Sequence, residues 1–112
     1  MAGIPGLDLC EYHDYTSVAL PGDQWNGLAT RVRECAELGK PLFVGEVGIA
    51  TSSVAGLAGR ASLLGSKVSA QFAASVAGIL VWDWRDGAHG GSSLGGFEIG
   101  PQDPALGVLS AY

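Results

Sequence analysis

The residue of this chain whose setting most suggests chemistry is Glu46, a lone carboxylate in an apolar segment. Glu46 lies in KPLFVGEVGIA, residues 40–50, bracketed by Gly45 and Gly48. An ionised carboxylate is costly to place in a dry strand, so Glu46 needs a partner, water or a chemical role. Without further motifs, a structural carboxylate paired with an arginine such as Arg85 would explain it equally well.

Further candidate residues follow two other apolar segments. His13 and Tyr15 come after LDLCEY, and Trp82 and Trp84 lie in GILVWDW. Imidazole and phenol groups donate hydrogen bonds that favour an ionised carboxylate, and an indole offers a large apolar surface. Singly, a histidine at a strand end or a tryptophan on a buried strand is typical of a structural role. Their combination with Glu46 favours a site.

Three strands and three helices are expected to position these side chains. The pattern predicts strands over about 7–12, 41–47 and 78–84, and helices over about 25–38 and 60–76. A short last helix follows Asp103 and Pro104, which are typical of an N-cap and a first helical residue. Alternating strands and amphipathic helices imply one α/β domain with a parallel sheet. Ligands in such sheets bind at the carboxyl ends of the strands, where the candidate residues lie.

The two-residue period of each strand predicts which side chains share a face. The predicted site face carries Leu9, Glu11, His13 and Tyr15, then Leu42, Val44 and Glu46, then Leu80, Trp82 and Trp84. The opposite face, with Cys10, Phe43, Gly45 and Val81, should lie under the helices. The second helix should turn Leu63, Leu64, Val68, Phe72 and Val76 toward the sheet. Glu11 is expected to be a layer or rim carboxylate and not a catalytic acid.

Composition excludes several classes of protein. The 112 residues are 47% hydrophobic and 15% charged, which argues against disorder. The net charge of −5 is scattered and no basic patch is visible, which counts against nucleic-acid and anionic-membrane partners. No apolar run reaches transmembrane length, and the first residues lack a signal-peptide pattern. The two cysteines lack metal-motif spacing, and no metal or cofactor is expected.

Three motifs taken together resemble a known family. YHDY, KPLFVGEVG and GILVWDW are similar, in order, to the sixth, seventh and eighth strands of the (β/α)8 barrel of glycoside hydrolase family five, the cellulase-type enzymes that include β-mannanases. The resemblance runs from Leu7 to the last helix. It implies a partial TIM barrel of about three C-terminal βα units, spanning residues 1–112.

The resemblance implies a role for each candidate residue. Glu46 matches the catalytic nucleophile, His13 and Tyr15 match the pair around the nucleophile and the sugar, and Trp82 matches the aromatic floor under that sugar. Trp84 is a neighbour that could also contact substrate. Retaining glycosidases use one carboxylate to attack the anomeric carbon while a second carboxyl group, about 5 Å away, protonates the leaving oxygen.

The chain also departs from the family. The family's acid/base glutamate follows an asparagine on the fourth strand, whereas the one asparagine here, Asn26, precedes Gly27. Nothing here corresponds to strands one to five, and three strands cannot close a barrel. The resemblance therefore implies a truncated gene, a fragmentary gene prediction or a mispredicted start at Met1. Alone, such a fragment should be inactive.

Cys10 and Cys35 are expected to meet between the first strand and the first helix. Cys10 falls on the helix-facing side of its strand, and Cys35 shares a helical stripe with Leu28 and Val32. They could form a disulfide or remain two buried thiols. Secretion, which is common in the family, favours the disulfide.

The expected function is therefore that of a fragment of a secreted retaining glycosidase acting on β-linked glucan or mannan. Two alternatives stay open: a non-catalytic carbohydrate-binding remnant that stacks sugars on Tyr15, Trp82 and Trp84, or a structural α/β module. The sequence does not indicate the oligomeric state.

Overall fold

The computed structural model describes residues 4–19, 27–85 and 96–112, which form a small parallel α/β domain. The strands are β1 (Cys10–Asp14), β2 (Leu42–Val47) and β3 (Gly78–Val81). The helices are α1 (Leu28–Glu37), α2 (Gly56–Ala73) and α3 (Ala105–Leu109), with a 3₁₀ turn at Thr51–Ser53. The sheet order is β1-β2-β3 and both strand pairs are parallel. The predicted α/β class and parallel sheet are confirmed.

The ends of the helices follow local chemistry. At the end of α1, Gly39 has φ +66°, the Gly39 N–H donates to Ala36 O (3.0 Å), and the Lys40 N–H donates to Cys35 O (2.9 Å). This is a Schellman motif, which explains why the helix stops at the glycine. Before α3, the Asp103 carboxylate accepts a hydrogen bond from the Ala105 N–H at 2.9 Å.

Several predicted boundaries were wrong. β1 begins at Cys10 instead of Leu7, and both Leu7 and Leu9 are about half exposed. α2 runs from 56 to 73 instead of 60 to 76. β3 ends at Val81 because the chain then leaves β2, and Trp84 pairs instead with Ile99. Trp25, which was predicted to begin the first helix, lies outside the described residues.

The core lies between the sheet and its helices. Buried apolar residues from β2, α1 and α2 form it, among them Leu28, Leu42, Val44, Val47, Leu64 and Val68. The prediction that Leu42 and Val44 share the face of Glu46 was therefore wrong, because these two side chains lie under the helices. Phe43 and Gly45, predicted under the helices, lie on the other face.

A β-bulge at Gly45 explains this error. Tyr12 pairs with Val44, but His13 pairs with Glu46, so Gly45 is an additional residue in β2. A bulge interrupts the two-residue alternation of a strand. Glu46 consequently joins Glu11 and His13 on one face, while Val44 and Val47 both remain on the other.

The face that carries Glu46 is uncovered within the described part of the chain. Glu11, His13, Leu80 and Trp82 are all exposed there. The helices therefore bury one side of the sheet and leave the side of Glu46 accessible.

A disulfide joins the sheet to its helices. Cys10 of β1 and Cys35 of α1 form a disulfide, with their Cα atoms 6.3 Å apart. On α2, Phe72 is 40% exposed and stacks on Tyr112 instead of facing the sheet as predicted. None of the helices in the described ranges is both long and apolar enough to cross a membrane.

Candidate active site

Glu46 lies at the carboxyl end of β2, where two hydrogen-bonding groups meet one of its oxygens. The Tyr15 hydroxyl donates to Glu46 Oε2, and His13 Nδ1 lies 3.3 Å from the same oxygen. The Glu46 side chain is 28% exposed, so it remains accessible from the uncovered face. The bulge produces this meeting, since it aligns Glu46 with His13 across the two strands.

Tyr15 is held in place by its neighbours. Its ring makes an edge-to-face contact with Phe97, with ring centroids 5.4 Å apart. A Cβ on Gly48 would lie 2.7 Å from Tyr15 Cδ1 and 3.0 Å from Phe97 Cδ1, so the absence of a side chain there makes room for both rings. Burial raises the pKa of Tyr15 above its ordinary value, and the hydrogen bond to Glu46 and the charges of Glu46 and Asp83 raise it further. Tyr15 is therefore a protonated donor at neutral pH.

His13 contacts a second carboxylate, Glu11, which the sequence placed on the site face as a layer or rim residue. His13 Nε2 lies 2.7 Å from Glu11 Oε1, so each ring nitrogen faces a carboxylate oxygen. A neutral imidazole donates from one nitrogen only, whereas the imidazolium donates from both. Glu11, His13, Glu46 and Tyr15 thus form a continuous chain of contacts.

The sequence left open an ion pair between Glu46 and Arg85, but the structure pairs Arg85 with another carboxylate, Glu98. Arg85 Nη1 lies 3.5 Å from Glu98 Oε1, across the pairing of residues 84 and 99. The contacts found for Glu46 are with Tyr15 and His13.

The two tryptophans occupy different places. Trp82 is 46% exposed, and its backbone N–H donates to Val47 O at 2.8 Å, so it lies beside the end of the strand that carries Glu46. Trp84 is 58% exposed and lines a groove with Leu106 and Leu109 of α3. The structure therefore brings Glu46, His13 and Tyr15 together, places Trp82 alongside, and puts Trp84 in a separate groove.

A buried polar cluster anchors the end of β1 beneath this site, and sequence reasoning missed it. Asp14 Oδ2 accepts from Lys67 Nζ (2.6 Å) and Gln71 Nε2 (2.7 Å), and Asp14 Oδ1 accepts from the Thr16 N–H and hydroxyl. Burial lowers the pKa of Lys67, and Asp14 opposes this effect. The available signal was the four-residue spacing of Lys67 and Gln71 on the helical stripe of Leu64 and Val68.

A second buried cluster fixes the segment that carries Phe97. Arg60 of α2 donates to Gly96 O (2.8 Å) and Glu98 O (2.9 Å), and it forms an ion pair with Asp103. A guanidinium with fixed donors suits this bridging role. Arg60 thereby supports Tyr15 indirectly, through Phe97.

The described residues contain no group of three or more His, Cys, Asp or Glu side chains that could hold a metal ion. Two further residues that the sequence offers, Asp86 as an ion-pair partner of Arg85 and His89 in a glycine-rich loop that could reach a substrate, lie outside the described residues. No family model matches the chain, and no match was found among curated proteins or solved structures. The interpretation of the site therefore depends on its geometry and on the sequence motifs.

Proposed function

We propose that this chain is the C-terminal part of a family-five-type retaining glycosidase barrel, with Glu46 as the nucleophile toward β-linked glucan or mannan. The observation that carries the proposal is that Tyr15 and His13 both meet Glu46 Oε2 at the carboxyl end of β2. The parallel sheet, with helices on one face and the site on the other, supports a partial barrel.

The proposed reaction gives each residue a defined task. One Glu46 oxygen attacks the anomeric carbon while the other is held by Tyr15 and His13, and the bond to the leaving oxygen breaks with its electron pair. Hydrogen bonds that favour the ionised carboxylate keep Glu46 nucleophilic. Trp82 offers an indole surface on which the sugar's C–H face can stack. Water then releases the sugar from Glu46, so the anomeric configuration is retained.

A natural glycan also needs an acid to protonate its leaving oxygen. Glu11 is engaged with His13, and the sequence contains no Asn-Glu pair. In the proposal, the acid and the remaining strands come from a preceding segment, and the whole enzyme is extracellular and needs no cofactor. An in-frame genomic extension of roughly 200 residues with an Asn-Glu pair would complete a barrel of typical size.

Covalent labelling tests the nucleophile without requiring that acid. A 2-deoxy-2-fluoro-β-glucoside or mannoside with a dinitrophenolate leaving group needs little protonation, since the leaving group is already a stable anion. Glu46 should displace dinitrophenolate and retain the fluorosugar. Mass spectrometry of peptides should place the added sugar on Glu46.

Two variants give the labelling its specificity. Glu46→Gln should abolish labelling, whereas Glu37→Gln, on the exposed surface of α1, should leave it unchanged. Label on another carboxylate, or equal labelling of the Glu46→Gln variant, would show that Glu46 is structural.

A carbohydrate-binding role without catalysis is the second candidate, and the exposure of Trp82 and Trp84 favours it. In that case, Trp82→Ala should weaken retention on insoluble β-glucan or β-mannan while Glu46→Gln binds normally. Covalent labelling of Glu46 would decide for the enzyme.

A further inference from the structure

We infer that Glu11 is a positioning residue that orients His13 toward Glu46, and that Gly45 provides the space for the Glu11 carboxylate. This inference deepens the proposed function, on which its catalytic consequence rests. The contacts that motivate it are the one between Glu11 and His13 and the one that a side chain on Gly45 would make with Glu11.

The first observation is the order of contacts along one face of the sheet. Glu11 and His13 are two residues apart on β1, and Glu11 Oε1 lies 2.7 Å from His13 Nε2. A hydrogen bond at one nitrogen fixes the ring's orientation and favours a proton there. The opposite nitrogen, Nδ1, then points at Glu46 Oε2. Without Glu11, the ring loses the shorter of these two contacts and is less restrained about its side-chain bonds.

The second observation is independent and concerns the bulge. A Cβ built on Gly45 would overlap Glu11 Oε1 and lie 2.9 Å from Glu11 Cδ. Any side chain at position 45 must therefore move the Glu11 carboxylate. The same glycine supplies the extra residue that brings Glu46 opposite His13. One position thus sets both the register of Glu46 and the place of Glu11.

The electrostatic consequence is a histidine between two carboxylates. Two carboxylates contact His13, Glu11 on its own strand and Glu46 on β2, and the Tyr15 hydroxyl donates to the second of them. The imidazolium form of His13 can donate to both carboxylates, since it carries a proton on each ring nitrogen. Glu11 thereby holds the ring with Nδ1 directed at the Glu46 carboxylate, and this orientation is the positioning role that we assign to it.

Imidazole NMR of the ¹⁵N-labelled chain tests the inference without any substrate. In the wild-type chain, the long-range ¹H–¹⁵N pattern of His13 should show a protonated, hydrogen-bonded Nε2. Glu11→Ala should convert this pattern to that of a freely rotating, tautomer-averaged histidine. Glu37→Ala is the charge-matched control, and His13→Gln assigns the signals against His89.

Gly45→Ala supplies a second route to the same result. It should give the His13 pattern of Glu11→Ala although Glu11 is still present, because the new methyl group displaces the carboxylate. In the Glu11→Ala background, Gly45→Ala should change the pattern no further. Additive changes would show that Gly45 acts on His13 by another route. They would overturn the role of Gly45 in making room for the Glu11 carboxylate. An unchanged His13 pattern in Glu11→Ala would overturn the positioning role.

The labelling rate connects this positioning to the proposed function. Glu11→Ala should slow the labelling of Glu46 about tenfold at saturating reagent, with little change in half-saturation. Glu11→Asp, which keeps a carboxylate, should recover part of the rate. If the NMR changes occur but wild-type Glu46 is never labelled, the positioning role stands and the glycosidase proposal fails. If Glu46 is labelled equally fast in the wild type and Glu11→Ala, the catalytic part of this inference fails alone.

Discussion

At the scale of single residues, the two donors to Glu46 are secured by different means. Tyr15 is held by Phe97 and by the space at Gly48, and its pKa is raised above the ordinary value. His13 is about as exposed as Tyr15 and contacts a second carboxylate, Glu11. The site therefore combines a tyrosine held by packing with a histidine that lies between two carboxylates.

An alkaline titration can separate the causes of the raised Tyr15 pKa. Glu46→Gln should lower the pKa of Tyr15 partway, because the charge of Glu46 is lost, but leave it above 10.0, because burial remains the largest cause. Phenolate absorbance measures this, and Tyr15→Phe identifies the Tyr15 signal among the three tyrosines. A Glu46→Gln titration identical to the wild type would contradict the contact between these residues.

The same shift makes a signed prediction for stability. In the unfolded chain Tyr15 ionises near 10, whereas in the folded chain it keeps its proton to higher pH, so the folded state binds more protons above pH 10. The stabilisation is fully present below that pH and is lost as pH rises further. Urea unfolding should show a shallower alkaline decline for Tyr15→Phe than for the wild type.

The sequence could indicate which residues meet at Glu46 but not every contact. His13, Tyr15 and Glu46 follow apolar strands in a β-α-β order, and parallel pairing brings the ends of such strands together. Lys67 and Asp14 are separated by 53 residues, and their ion pair depends on where α2 crosses the sheet. Glu11 was visible on the correct face, but the room for its carboxylate depends on the missing side chain at Gly45 in the neighbouring strand.

At the scale of elements, the bulge decides which part of the prediction failed. The two-residue period was correct for β1, where Cys10 faces α1 and Glu11 faces the site. It failed for β2 because Gly45 adds one residue between Val44 and Glu46. No local pattern marks the bulge, since a glycine beside an apolar run is equally compatible with an unbroken strand. The order of elements was predictable because amphipathic spacing and glycine stops are local signals.

The ends of α1 and α2 provide a matched pair for testing helix termination. Ser75 has φ +71°, and its N–H and that of Val76 donate to Phe72 O and Gln71 O, the same Schellman pattern that Gly39 forms after α1. A left-handed conformation is costly for a residue with a Cβ. Ser75→Gly should therefore stabilise the chain by about 0.5–1 kcal/mol, and Gly39→Ala should destabilise it by about 1 kcal/mol.

Urea unfolding of both variants and the wild type measures these differences. Ser75→Ala is the control, since it removes the hydroxyl without relieving the backbone. A stabilisation by Ser75→Ala equal to that of Ser75→Gly would assign the effect to the hydroxyl instead of the left-handed backbone.

At the scale of the whole molecule, the domain is one-sided. The helices, the Cys10–Cys35 disulfide and the Arg60 and Lys67 clusters all consolidate the buried side of the sheet. The other side presents Glu46 and the half-exposed Trp82, and β1 and β3 each pair with one strand in the described residues. In the proposed barrel, this side is the interior and mouth, which the remaining strands would enclose.

Activity on natural glycans tests this view of the molecule. A general acid typically contributes about 10²- to 10⁴-fold to such a reaction, and this chain is proposed to carry only the nucleophile. The purified chain should therefore show no turnover of β-glucan or β-mannan, although an activated fluoroglycoside labels Glu46. Joining it to the five-strand portion of a barrel with an Asn-Glu acid should produce hydrolysis, measured by reducing-sugar release.

In that joined protein, Glu46→Ala should abolish hydrolysis, and azide should restore cleavage of an activated substrate with inversion, because the small anion occupies the space of the lost carboxylate. Near-wild-type hydrolysis by the Glu46→Ala protein would instead assign Glu46 a structural role and refute the proposed reaction.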